Sequence, residues 1–240
     1  MKKLDLSLIL ACFNEGKFFT SNVKKIFAVL DSTKLNYDII FIDDKSSDQT
    51  RGNIKEIIKN NKNHNFKALF HHKNVGRGRT VSEGILLARG KIAGYIDVDL
   101  EIPADYIPRF VQAINSDCDI ATAFRIYDFT FRSLPRWFGS KGYVILRKFF
   151  LKDNLKDTEA GYKFFNRQKI IPIVKKCQEN GWFWDTEIMI RSLKAGLKIC
   201  QIPTVFIRDF NKKSTVNFIP DSINYFKKLY LYKDILKITR

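Results

Sequence analysis

Two kinds of apolar pattern alternate along the chain. Residues 6–11, 37–42, 66–70, 92–96 and 120–124 form short, nearly unbroken apolar runs that read as strands, whereas 17–30, 49–60, 78–88 and 105–115 carry apolar residues at helical spacing. Strands that are apolar throughout suit a parallel sheet covered on both faces. The pattern therefore predicts an open, doubly wound α/β sheet, with ligands bound beyond the carboxyl ends of its strands. Around residues 125–152 the texture changes. Phe129, Phe131, Trp137, Phe138, Tyr143, Phe149 and Phe150 are interleaved there with seven basic residues and a single acid, Asp128. A helix over 185–195 and a strand over 198–206 follow. Residues 219–240 read as an amphipathic helix, with Ile219, Ile223, Phe226 and Tyr230 on one face and Lys227, Lys228, Lys233 and Lys237 on others. No repeat, low-complexity tract or linker interrupts the chain, so one domain over 1–240 is expected.

Charge changes this picture more than composition does. The 42 Lys and Arg against 25 Asp and Glu give a net charge of +17, which favours an anionic partner: nucleic acid, acidic lipid headgroups or phosphorylated substrates. The basic residues are spread over the chain and not gathered on one recognition element, so a nucleic-acid partner is not expected. Cys12, Cys118, Cys177 and Cys200 are scattered, with no CxxC pair and no histidine at zinc-like spacing, and are expected to be thiols in a reducing compartment. The apolar stretch 6–11 is too short for a secretory leader and has no small-residue cleavage site after it, so no leader is expected, and no run approaches the roughly 18 to 20 apolar residues that cross a bilayer. A cytoplasmic protein, soluble or peripheral to a membrane, is the expectation.

The strand ends carry the candidate chemistry. Cys12-Phe13-Asn14-Glu15-Gly16 follows the first strand and lacks the glycine cluster with which a dinucleotide fold, or a nucleotidyltransferase making an activated sugar, cradles phosphates. Asp43-Asp44-Lys45-Ser46-Ser47-Asp48 follows the second; its acids can meet a base or ribose, or cap the next helix. His71 and His72 end the third strand and read as surface or strand-end histidines, and Gly76-Arg77-Gly78-Arg79 then opens a helix that suits either an anion or a plain turn. The fourth strand runs into Asp97-Val98-Asp99-Leu100-Glu101. In an extended segment Asp97, Asp99 and Glu101 point to one side, and carboxylates so crowded repel unless a cation intervenes. Mg²⁺ or Mn²⁺ prefers such oxygen ligands and shares them with substrate phosphates.

Taken in order, Phe13-Asn14-Glu15, Asp43-Asp44-x-Ser46-x-Asp48-x-Thr50, Asn74-x-Gly76-x-Gly78, Gly84, Arg89-Gly90 and Asp97-x-Asp99-Leu100 resemble the family-2 glycosyltransferases of GT-A fold. The match continues through Arg125, Arg136-x-x-x-Ser140, Asp157-x-x-x-Gly161-Tyr162-Lys163, Trp182-Phe183-x-Asp185-x-Glu187, Gly196-x-Lys198-Ile199 and Ile202-Pro203. This second half is similar to the dolichyl-phosphate mannose and glucose synthases and to bacterial and archaeal polyprenyl-phosphate glycosyltransferases. The resemblance implies a GT-A-like, mostly parallel sheet flanked by helices, with a nucleotide-sugar-binding half (1–124), an acceptor half (125–218) and the amphipathic tail (219–240). It implies that Ala11, Phe13, Glu15, Asp43 and Asp44 line the nucleoside pocket with Arg77 near the donor, and that Asp97, Asp99 and Glu101 face Mg²⁺ or Mn²⁺. Arg125, Arg136 and Ser140 then meet the acceptor phosphate, and Asp185 and Glu187 approach the sugar or shape its pocket. Glu101 stands where the mannose synthases typically have glutamine.

The activity so implied is inverting transfer of a hexose from GDP-mannose or a UDP-hexose to a polyprenyl phosphate, at an anionic membrane surface on the cytoplasmic side and with a membrane protein as a possible partner. A phosphate acceptor is already an oxyanion and needs positioning more than a base. The alternative is a saccharide hydroxyl acceptor, for which a carboxylate such as Asp185 or Glu187 has to take up the proton.

Overall fold

The structure, a computed structural model, describes residues 3–127, 145–151, 153–207, 225 and 227–233. Its elements in chain order are β1 (Leu6–Cys12), α1 (Phe19–Asp31), β2 (Tyr37–Asp43), α2 (Thr50–Asn60), β3 (Asn65–Phe70), α3 (Arg77–Leu87), β4 (Ile92–Ile96), α4 (Ile107–Ser116) and β5 (Ile120–Tyr127). Helical residues 145–151 (α5), β6 (Tyr162–Asn166), α6 (Arg167–Val174), α7 (Trp184–Lys194), β7 (Ile199–Phe206) and helical residues 227–233 (α8) complete them. The seven strands form one sheet in the order β3-β2-β1-β4-β6-β5-β7. All neighbours are parallel except β6, which runs antiparallel to both β4 and β5.

Continuous apolar runs become two-faced strands because successive side chains point to opposite sides. Leu6, Leu8 and Leu10 of β1 join Ile39 and Phe41 of β2 in a core covered by α1, α2 and α4. Ile9, Ile40 and Ile42 face the other way, into a core covered by α3, α6 and α7. Gly84 of α3 lies where a Cβ would come within 2.4 Å of Ile9, so that helix sits close on the sheet. The doubly wound expectation is met.

Three features differ from expectation. Strand β6 is absent from the sequence pattern: its five residues include Lys163 and run directly into α6. Cys118 and Cys200, read as thiols, form a disulfide, because the parallel register of β5 and β7 sets Ala121 opposite Cys200 and leaves the two cysteine Cα atoms 5.9 Å apart. Cys12 and Cys177 are free. In the tail, Tyr230 is exposed, whereas Leu229 is buried and Tyr225 and Tyr232 pack on Phe183 with ring centroids 5.6 and 5.5 Å away. Within the described part of α8, Leu229 and Tyr232 thus pack on the domain, while Tyr230 of the predicted face and Leu231 are exposed. Ile219, Ile223 and Phe226 lie outside the described residues, as do Arg136, Ser140, Trp137, Phe138 and Tyr143 of the acceptor segment.

Candidate functional site

The carboxyl ends of β1, β2 and β4 each turn through a non-glycine residue of positive φ: Asn14 (54°), Lys45 (66°) and Leu100 (55°). Residues held in this left-handed region cost stability and gather at functional sites. Here they gather along one edge of the parallel sheet, where the candidate residues lie.

At the β1–β2 end, side chains of one turn satisfy the amides of the other. Ser46 Oγ accepts from Asn14 N (3.0 Å), Thr50 Oγ1 from Glu15 N (2.9 Å) and Asp48 Oδ2 from Gly16 N (3.0 Å), while Asn14 Oδ1 accepts from Ser47 N (2.8 Å). The Asp-Asp-x-Ser-x-Asp-x-Thr spacing is thereby explained as stitching. Phe13 remains 42% exposed above it, Ala11 is half-buried in β1, and Glu15 accepts from Phe13 N at 3.2 Å. Although burial pushes the Asp48 carboxyl up, its bonds from Thr50 and Gly16 leave it below the usual range.

Asp43 and Asp44 are both buried. Asp43 pairs with Arg51, with Oδ2 2.9 Å from Nε and 2.8 Å from Nη2. Asp44 accepts from Val75 N (2.8 Å), Gly76 N (2.9 Å) and His71 Nδ1 (2.8 Å), and the opposite nitrogen of that ring meets Glu83 at 2.9 Å. His71 is therefore a strand-end histidine, as one of the two readings had it, and not a surface one. It bridges two carboxylates, which raise its imidazolium above its ordinary range despite burial. Nor is the Gly76-Arg77-Gly78-Arg79 stretch a plain turn. Gly76 has φ 94° and a Cβ there would lie 2.5 Å from Asn180 O, while one on Gly78 would strike Trp184 at 2.3 Å. Both glycines let the start of α3 press against the turn leading into α7.

Arg77, thus seated, reaches the end of β4. One arm of its guanidinium bonds Asp97 at 2.6 Å and the other bonds Asp185, and it stacks near Trp182 and Tyr95, with centroids 5.2 and 5.5 Å away. Asp185 also accepts from Tyr95 Oη and from Lys163 Nζ (2.7 Å). Lys163 is fully buried, and burial lowers its ammonium below the usual range. Gly161 completes the cluster: a Cβ there would sit 1.8 Å from Asp97 Oδ2 and 2.4 Å from Arg77 Nη2.

The segment after Ile96 is not extended as expected. Leu100 N donates to Asp97 O (3.3 Å), so 97–100 form a turn, which Asn22 braces through Val98 O (3.0 Å) and Asp99 O (3.3 Å). The turn still brings Asp97, Asp99 and Glu101 to one cleft, shared with Ile102, Arg125, Tyr162 and Phe206. Partial desolvation at the floor of the cleft and the neighbouring Asp99 raise the Asp97 carboxyl even against the pull of Arg77. Among the described residues no group of three His, Cys, Asp or Glu could hold an ion alone. A carboxylate pair in a cleft nevertheless fits Mg²⁺ or Mn²⁺, which take most of their remaining oxygens from substrate phosphates and water.

Across the cleft Arg125 forks onto Asp157, Nε–Oδ2 2.7 Å and Nη2–Oδ1 3.1 Å, and lies 3.9 Å from Glu159. The Glu159 carboxyl is pushed up to about 7 by burial, with Arg125 opposing and Asp157 assisting. Glu187 points elsewhere. It is fully buried, accepting from Gln178 N, Glu179 N (2.9 Å) and Arg191 Nε (2.8 Å), so it shapes the turn before α7 and does not face the cleft. Tyr95, His71 and Glu159 were not readable as site residues. Lys163 was readable only as part of the Asp157-x-x-x-Gly161-Tyr162-Lys163 resemblance, because the strand that buries it leaves no pattern of its own.

A doubly wound sheet with its acidic cleft at the carboxyl end of β4 defines the GT-A-like class of nucleotide-sugar-binding folds. Residues 7–173 match the Glycosyl transferase family 2 model, and the chain belongs to that family. It is 27% identical over 207 residues to glycosyltransferase AglD of Haloferax volcanii, covering 83% of this chain and 32% of the relative. It is 26% identical over 222 residues to a dolichyl-phosphate beta-glucosyltransferase of Saccharomyces cerevisiae, covering 84% and 66%. The chain therefore spans under two thirds of the length of these curated relatives. Glucosyl-3-phosphoglycerate synthase from Mycobacterium tuberculosis in complex with UDP shares the fold at a TM-score of 0.70 and 16% identity, over 96% of this chain and 80% of that one. The same synthase with Mn²⁺, UDP and glucosyl-3-phosphoglycerate gives 0.70 at 13% identity, over 98% and 82%.

Proposed function

We propose that the protein transfers a hexose, with inversion, from a nucleotide diphosphate sugar to a polyprenyl phosphate. One observation carries the choice of acceptor: Asp185, the carboxylate a hydroxyl acceptor would call on, is occupied by Arg77, Lys163 and Tyr95, and Glu187 is turned inward. A phosphate acceptor makes no such demand, because it arrives ionised. The beta-glucosyl group in the names of two curated relatives, and the UDP bound in the solved synthase, favour a UDP-hexose over GDP-mannose.

In this reading the first-half turns, with Ala11, Phe13, Glu15 and the Asp43–Asp44 shelf, receive the nucleoside. Asp97 and Asp99, with Glu101 beside them, hold Mg²⁺ or Mn²⁺, which when bound neutralises the charge growing on the departing diphosphate. Arg125, joined by Arg136 and Ser140, positions the acceptor phosphate against the anomeric carbon; the Asp157 fork keeps the Arg125 guanidinium from swinging away. Among the described residues no helix is long and apolar enough to cross a membrane. Placement against the cytoplasmic face of an anionic membrane, alone or with a membrane-protein partner, rests on the +17 charge and the lipid acceptor.

A saccharide hydroxyl acceptor is the second reading, and Glu159 favours it: a partly exposed carboxyl pushed up to about 7 suits a general base. The deciding experiment offers the protein polyprenyl phosphate or free saccharides, with labelled UDP- and GDP-sugars and Mg²⁺ or Mn²⁺. Label in the lipid extract is expected. Label only in saccharide would replace the first reading with the second.

A further inference from the structure

One of the two carboxylates assigned to the metal already has a cation on it. Arg77 Nη2 lies 2.6 Å from Asp97 Oδ1, and the same guanidinium is held from behind by Asp185 and flanked by the Trp182 and Tyr95 rings. Behind Asp185 stand Lys163 and the Tyr95 hydroxyl. The two sides of the Arg77–Asp97 pair are unequally fixed. The Arg77 side chain is 13% exposed and braced on several sides, whereas the Asp97 side chain is 46% exposed at the cleft. If the pair opens, Asp97 is the partner that moves. Gly161 shows that room has been kept for the pair, since any Cβ at that position would collide with both of its members.

We propose that Arg77 is a latch on Asp97: it holds down affinity for a divalent cation until a nucleotide diphosphate arrives, so that metal and donor bind as a unit. This rests on the proposed donor chemistry. Without nucleotide, an incoming cation has to draw Asp97 off a charge-assisted bond and sit beside a fixed guanidinium, and both effects oppose it. A diphosphate reverses the second effect, because its oxygens take the free arm of Arg77 as well as the cation. Arg77 then joins metal and nucleotide instead of opposing the metal. Asp185, Lys163 and Tyr95 act through Arg77 as positioning residues. Linkage makes the coupling reciprocal: whatever factor the nucleotide adds to metal affinity, the metal adds to nucleotide affinity.

The test measures Mn²⁺ binding by electron paramagnetic resonance, with and without UDP or GDP, in the wild type, Arg77→Gln and Arg77→Lys. Glutamine removes the charge. Lysine keeps a charge that pairs with Asp185 but cannot fork onto both carboxylates, so it preserves the fold if glutamine does not. Arg77→Gln is expected to bind Mn²⁺ alone about tenfold more tightly than wild type and to lose a similar factor of nucleotide enhancement. Arg77→Lys should shift the same way by less. A folded variant that binds Mn²⁺ alone no more tightly than wild type overturns the latch, even if nucleotide and Mn²⁺ still bind together. If wild type and variants bind neither Mn²⁺ nor either nucleotide, the proposed donor chemistry fails and the latch with it.

Discussion

Asp43–Asp44 and Asp97–Asp99 are the same residue type at equivalent ends of two strands that flank β1 in one parallel sheet, yet their surroundings are opposite. The first pair is buried, and Arg51, His71 and the amides of Val75 and Gly76 occupy its carboxylates. The second stands in a cleft, with Asp97 half-exposed and Asp99 and Glu101 beside it. Carboxylates at a strand end are fixed in place where backbone amides and cations close over them. They stay within reach of a ligand where the turn that follows leaves them in a cleft, even with Arg77 on Asp97 and the Glu101 amide on Asp99. A motif of two acids does not distinguish these cases; its neighbours in space do.

The comparison breaks hardest at Asp99. Asp99→Ala removes a cleft carboxylate and no core contact, so transfer should fall at least about 100-fold with the melting temperature nearly unchanged. Chelation by EDTA should act alike, reversed by Mg²⁺ or Mn²⁺. Full turnover in EDTA would remove the metal from the reading. Asp44→Ala should do the converse. It strands two amides and one face of His71, at a cost of about 2 kcal/mol, or roughly 4–8 °C for a chain of this size. Calorimetric titration with UDP or GDP, run well below the transition, then separates lost stability from lost nucleoside contact.

Gly161→Ala sharpens the contrast from the cleft side. The added methyl cannot coexist with Asp97 and Arg77 where they stand, so the pair must part. Because the backbone there has no positive φ, the fold should survive while transfer drops by about tenfold to 100-fold, since a misplacement of about 1 Å can cost about 100-fold. Wild-type turnover in the alanine variant would mean that the placement of Asp97 beside Arg77 has no part in the reaction.

What could be read in the sequence divides along similar lines. Strands β1–β4 announce themselves because each is an apolar run between polar turns, and the Asp97–Asp99 pair because it directly follows the most buried of them. The cleft was legible; its wiring was not. Arg77 meets Asp185 across 108 residues, His71 meets Asp44 across 27, and Cys118 meets Cys200 across 82, and no local spacing encodes such encounters. They follow from where β6 inserts and how α3 packs on α7, which are properties of the assembled sheet. Even the extended geometry expected for Asp97–Glu101 failed for a tertiary reason: Asn22 of α1 holds that segment in a turn.

The smallest effect concerns pH, and it again sets the two acidic regions apart. His71 is raised above its ordinary 6.5 by Asp44 and Glu83, against burial. A group whose folded-state pKa is raised adds stability that is complete below its unfolded value and is lost as pH climbs through the folded one. Glu83 is lowered from 4.5: burial works against it, but Arg79 and His71 prevail, so its contribution is present above that value and is lost as pH falls. The bridge is therefore strongest between these limits, in mildly acidic solution, and weakens on the alkaline side. Thermal melts from pH 5.5 to 8.5 should show wild type losing a few degrees more than His71→Gln, whose neutral amide does not titrate. The substitution itself lowers the melting temperature, so the slope with pH is the observable and not the offset. Parallel slopes would mean that His71 stays neutral in the bridge, with one ring N–H to give and so a hydrogen bond to only one of the two carboxylates.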